Sequence, residues 1–287
     1  MPEIPESNKN RLKRAVLWIV IILLLWLVFG CASKESEKAS QDPCAFFECQ
    51  HGAVVRADTA EKSLTLVFTG DEFADGATHV IDVLAKQQVK AGFFFTGNFY
   101  GNPAFEKIIH QLKQNGHYLG AHSDKHLLYC SWENRDSLLV TKREFTQDLE
   151  ANYLKMGRFG IRKSDASYFL PPYEWYNESI STWTRDFGLQ LINFTSGTRS
   201  NADYTTPDMP NYRSSEVIYN SILEYEQTDP AGLNGFLLLV HIGTAPERTD
   251  KFYMRLEELI VELRAKEYEF KSLVDLLIAG TSGVKEE

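Results

Sequence analysis

Residues 63–97 read SLTLVFTGDEFADGATHVIDVLAKQQVKAGFFFTG, and the change of period inside this stretch decides the fold. SLTLVF (63–68) and AGFFFTG (91–97) are short apolar runs rich in β-branched and aromatic residues. Between them Val80, Val83 and Leu84 share one helix face. Strand, helix and strand with nearly continuous apolar strands is the pattern of a parallel sheet covered by helices. The alternation continues outward through HYLGA (117–121), ASYFL (166–170), LQLINF (189–194), GFLLLVHI (235–242) and a short YEF (268–270). Helical faces lie between, among them Phe105, Ile108, Ile109 and Leu112, and later Phe252, Leu256, Leu259 and Leu263. Seven such runs without a glycine-rich dinucleotide loop favour an α/β barrel over a doubly wound sheet.

The polar residues sit at one end of these runs. Asp71 and Glu72 follow the first, His122 and His126 the third, Pro171, Pro172 and Tyr173 the fourth. Arg199 comes shortly after the fifth and His241 ends the sixth. All are at carboxyl ends of strands, the rim on which parallel barrels assemble active sites. His122 and His126 are four apart, a spacing that on a helix brings two side chains to one face for many reasons. A metal needs a third ligand, and a carboxylate from a neighbouring strand end completes a two-histidine, one-carboxylate set with open positions for water. Asp71 and Glu72 are adjacent candidates: one acid binds the cation while the other takes a proton from water.

The 287 residues carry a net charge of -9, which argues against a partner held by its phosphates; no nucleic acid is expected. Lys9, Arg11, Lys13 and Arg14 precede the uncharged run AVLWIVIILLLWLVFG (15–30), an export signal or short membrane anchor. VFGC, ending at Cys31, resembles a bacterial lipobox, from which Phe29 departs, so an uncleaved anchor stays open. Either reading places the rest of the chain in the bacterial cell envelope, tethered to the membrane. Residues 1–31 are thus a signal peptide or lipoprotein anchor, 32–43 a polar tether and 44–287 the folded domain. Cys44 and Cys49 form a local bridge or stay free thiols, and Cys130 is left to pack.

The motif HSDKH, with His122, Ser123 and His126, resembles the metal motif of the polysaccharide deacetylases, the NodB-like carbohydrate esterases of family 4. AGFFFTG resembles the strand after that family's first helix, and FLLLVHIG the late strand that ends in its catalytic histidine, here His241. The resemblance runs from about residue 62 to 278 and implies a distorted (β/α)7 barrel. It also implies a divalent metal, zinc foremost, that activates water to remove N- or O-acetyl groups from an acetylated glycan.

Residue by residue, the family's Thr-Phe-Asp-Asp falls on Thr69 to Glu72, making Asp71 the catalytic base and Glu72 the ligand beside His122 and His126, with the two acids' roles open to exchange. His241 is the general acid. The family's Arg-x-Pro-Tyr reads Leu170 to Tyr173, so the Arg that pairs with the base is missing, while Pro172 and Tyr173 match. The fourth motif offers Arg199, Asp203 and Tyr204, and Arg199 is a candidate to approach Asp71 in place of the lost Arg. Pro172, Tyr173, Trp175 and Arg199 are expected to contact substrate, within a rim dense in aromatic side chains that suit sugar faces. The competing reading is a glycan-binding lipoprotein without catalysis that keeps the fold.

Overall fold

The run at 63–68 lies at the middle of the sheet in the computed structural model, which describes residues 42–279. Strands β1 (Glu48–Gln50) and β2 (Ala53–Arg56) precede β3 (Ser63–Gly70). Helix α1 (Ala77–Lys86) leads to β4 (Gly92–Phe95), then α2 (Gly97–Gly101), α3 (Glu106–Gln114) and β5 (Tyr118–Ala121). Helix α4 (Lys142–Gly157) precedes β6 (Tyr168–Phe169), and α5 (Glu178–Asp186) precedes β7 (Gln190–Leu191). The chain continues through α6 (Ser215–Thr228), β8 (Phe236–His241), α7 (Leu256–Ala265), β9 (Glu269–Phe270) and α8 (Leu273–Ala279). The anchor and Cys31 lie outside the described residues, as does the tether up to residue 41.

The seven expected runs are β3 to β9, and every pairing among them is parallel. Strands run in the order β8-β3-β4-β5-β6-β7, with β9 on the start of β3. This is the distorted NodB-like barrel, and its distortion has a local cause. β2 lies antiparallel to β8, and its Val54 bridges to Ile192 just beyond β7, so a strand from the N-terminal hairpin fills the gap where the parallel circuit stops. Thr195 secures the seam: its Oγ1 donates to the Val55 carbonyl and accepts the Leu237 N–H at 2.9 Å. The sequence reading began the sheet at residue 63 and missed this hairpin, because four residues of AVVR carry too little periodicity to register.

Alternation along the strands separates two cores. Leu64, Leu66 and Phe68 of β3, with Phe236, Leu238 and Val240 of β8, face the helices. Val67, Phe94, Leu237 and Leu239 face inward, where Leu170 and Ile192 join them, and Leu273, Leu276 and Leu277 of α8 pack against the same cluster. Leu170 therefore occupies barrel interior, fully buried. Cys44 and Cys49 are joined as a disulfide, and Cys130 is free and buried.

Candidate active site

The register of the strands builds the site. Gly70, Phe95, Ala121 and Phe169 stand side by side across β3, β4, β5 and β6. The next residue of each strand end is therefore Asp71, Thr96, His122 or Leu170. Backbone bonds extend the ladder through this row: Thr96 N–H to Gly70 O, His122 N–H to Phe95 O, and Leu170 N–H to Ala121 O. One residue lower, His241 pairs with Thr69. In β8 it follows Leu237 and Leu239 at intervals of two, which turns it to the barrel's inner face.

His122 and His126 are not on a helix. The segment after β5 is irregular, with φ of 72° at Ser123 and 54° at His126, left-handed values that cost free energy for residues with a Cβ. Buried groups of α4 hold it there. Asp148 accepts from Ser123 Oγ at 2.6 Å, Asp124 N at 2.8 Å and Lys125 N at 3.1 Å, and Asn152 Oδ1 accepts from His122 N. Burial pushes the Asp148 carboxyl above the usual carboxylate range, against those three hydrogen bonds. Neither Asp148 nor Asn152 was singled out from sequence. Their signal is a polar pair four residues apart on the buried face of a helix that opens with a Thr141–Glu144 capping box.

The segment also packs tightly against α2. A Cβ on Gly97 would lie 1.8 Å from Asp124 Oδ1, the oxygen that pairs with Lys155 at 2.7 Å. Gly97→Ala is expected to displace the histidine loop and to destabilise the fold by about 1–3 kcal/mol, the range for overpacking. Urea denaturation would measure it, and an unchanged midpoint would show that the loop yields freely.

His122 is almost fully buried, and its Nδ1 is 2.8 Å from the Leu170 carbonyl oxygen. Nδ1–H donates to that oxygen, so Nε2 carries the lone pair. Burial, with His126 beside it, holds the imidazole well below the ordinary histidine value and hence neutral. The His126 ring is centred 5.1 Å from that of His122 and 4.3 Å from that of Tyr173. Burial lowers His126 as well, opposed by the negative charge of Asp71. Of the two acids, Asp71 is thus the one whose charge acts on His126. Its Oδ1 is pinned by Thr96 Oγ1 at 2.6 Å and Asn98 Nδ2 at 3.1 Å, whereas Glu72 is exposed.

Two neutral imidazoles and a carboxylate are the donor chemistry of a divalent cation. Among the described residues no three His, Cys, Asp or Glu side chains stand close enough together to form a finished metal site. The set fits a metal in kind, with the carboxylate as the donor still to close.

On the other wall His241 Nδ1 is 2.6 Å from Asp203 Oδ1, and the second Asp203 oxygen accepts the His241 backbone N–H at 2.9 Å. Asp203 is completely buried in the short turn Ser200–Tyr204. Burial alone would lower His241, but the Asp203 carboxylate, helped by Glu174, outweighs it and raises the imidazole above its usual value. With Nδ1 committed to Asp203, Nε2 is the atom left for chemistry. The sequence reading named Asp203 without giving it a task; only the fold brings the turn to the end of β8.

A cavity of about 510 Å³ joins the two walls. His122, His126, His241, Asp71 and Glu72 all line it, with Tyr173, Tyr204 and Trp132 as aromatic surface. Thr69 also faces it, its buried hydroxyl without a partner among the described residues. Pro172 is buried and outside the lining. Trp175 is outside the lining: its Nε1 donates to Ser131 O at 3.1 Å, and the Arg135 guanidinium lies 3.5 Å over its ring. Arg199 is exposed and also outside the lining. Among the described residues no Lys or Arg pairs with Asp71; Thr96 and Asn98 take that place.

The chain's residues 56–192 match the polysaccharide deacetylase family profile. Over 229 residues it is 24% identical to the peptidoglycan-N-acetylmuramic acid deacetylase of Bacillus subtilis, covering 79% of this chain and 76% of that protein. The solved structure of that deacetylase, a family 4 carbohydrate esterase, has a TM-score of 0.59 at 21% identity, over 79% of this chain and 85% of that one. A family 4 pseudoenzyme from Bacillus anthracis has a TM-score of 0.60 at 15% identity, over 80% of this chain and 70% of that one.

Proposed function

We propose, for a chain that belongs to the NodB-like polysaccharide deacetylases, that it is a hydrolase removing N- or O-acetyl groups from a glycan in the bacterial envelope. The observation that carries this reading is the Asp203–His241 pair, set across one cavity from His122, His126 and Asp71.

His122 and His126 with Asp71 would hold a divalent cation, zinc in our reading, which when bound polarises the acetyl carbonyl and acidifies water. This exchanges the two acids' expected roles, because Asp71 acts on His126 while Glu72 is exposed at the cavity. Glu72 then takes the proton from the attacking water. His241, protonated and steadied by Asp203, gives a proton from Nε2 to the leaving nitrogen or oxygen as the tetrahedral intermediate collapses. The Tyr173 N–H, which no protein acceptor takes among the described residues, would donate to the developing oxyanion. Trp132 and Tyr173, edge to face at 5.7 Å, offer apolar surface to sugar rings. Export and a membrane tether at residues 1–31 belong to this reading on sequence grounds.

A second reading, glycan binding without catalysis, is favoured by Leu170, which fills barrel interior where the family carries its Arg. The two separate in one assay. Acetate release from N- and O-acetylated oligosaccharides by the full chain in detergent, abolished by a chelator and restored by zinc or cobalt, is expected from the enzyme. A folded chain that retains metal and releases no acetate would leave the binding protein.

A further inference from the structure

Beyond helping Asp203 to raise His241, Glu174 has no task in this chemistry, yet its placement is costly. Tyr173 and Glu174 both have left-handed backbone, φ 58° and 52°, two consecutive residues with a Cβ where glycine is at ease. Pairs of this kind persist only where the surroundings over-determine them. Here Asn193 Nδ2 donates to the Glu174 carbonyl at 3.0 Å, and Glu174 N–H donates to Pro171 O at 3.1 Å. The result is a half-buried carboxylate lining the same cavity as His241, whose imidazole its charge acts on. Loss of water pushes its pKa up to about 7, with Asp203 adding to the effect and His241 opposing it.

The rest of the lining has one sign. Asp71 and Glu72 are acids, and among the described lining residues there is no Lys or Arg. The positive charge of His241 is matched by Asp203. Asp71 and Glu72 offset a bound divalent cation, so Glu174, ionised as pH rises past about 7, leaves the lining net negative. We propose that Glu174 selects the substrate class: it directs the site to neutral or amine-bearing acetylated sugars, whose hydroxyl or amino hydrogens it accepts, and turns away sugars that carry their own carboxylate. The proposal rests on the deacetylase reading for where the sugar sits, and departs from the Bacillus subtilis relative, named for a sugar that bears a lactyl carboxylate.

The test is calorimetric titration at pH 8.5, where Glu174 is ionised, of the full chain in detergent with two tetrasaccharides: N-acetylated chitotetraose, which is neutral, and alternating N-acetylglucosamine and N-acetylmuramic acid, which is anionic. Wild type is expected to bind the neutral sugar about tenfold or more tighter, by a ratio that shrinks in 0.5 M salt as charge is screened. Glu174→Gln is expected to narrow the ratio at least about threefold; if that variant fails to fold, the salt dependence of wild type decides. Equal wild-type affinities, or a ratio unmoved by both salt and the variant, would overturn the proposal. Acetate release measured on the same sugars keeps the two readings apart. Selective binding without release sinks the deacetylase alone, release with equal affinities sinks the selectivity alone, and a folded chain that binds neither sugar sinks both.

Discussion

Asp203→Asn is expected to lower acetate release by on the order of 10²–10⁴-fold, the usual worth of a positioned general acid. Asn keeps the shape of Asp but removes the charge that raises His241. Its single amide oxygen can accept from the His241 backbone N–H or from Nδ1–H but not from both, so one of the two loses its acceptor. That loss is expected to cost about 1–3 kcal/mol of stability. The sign of the pH effect follows from the role. His241 must be protonated to act, so activity falls as pH rises through its raised pKa. Without Asp203 the pKa drops, and the alkaline limb of the kcat profile moves to lower pH. A lower rate with an unmoved alkaline limb would mean that Asp203 acts only by holding the turn.

His122→Ala is expected to cost most of the rate. The cation's polarising effect is worth several kcal/mol, so its loss amounts to roughly 10³-fold or more. The variant should also retain at least about tenfold less divalent metal after dialysis, read by elemental analysis rather than by activity. The Leu170 carbonyl loses its Nδ1–H donor as well, a stability loss of about 1–3 kcal/mol. Metal retention equal to wild type would remove His122 from the ligand set and, with it, the assignment of this wall of the cavity.

Much of the site was legible before any fold was known. Strand periodicity placed Asp71, Glu72, His122, His126, Tyr173 and His241 at strand ends, and the register of β3 to β6 and β8 gathers those ends on one rim. The conformation between His122 and His126 was not legible. A spacing of four reads as helix, whereas the backbone follows Asp148 and Asn152, buried groups contributed by a helix more than twenty residues away. The substitute for the missing Arg was equally hidden. Arg199 has the right charge but is exposed, and Asp71 is satisfied by the neutral donors Thr96 and Asn98.

By itself the sequence determined what depends on local order: which runs are strands, which segments between them are helical, and which polar side chains stand at the rim. Period and composition are properties of neighbours along the chain. Tertiary structure alone decided the rest: that β2 fills the open seam, that Asp203 reaches His241, that Trp175 lies behind the cavity, and that Glu174 faces into it. Each depends on segments far apart in the chain meeting through buried hydrogen bonds and excluded volume, and no pattern within one segment encodes its partner.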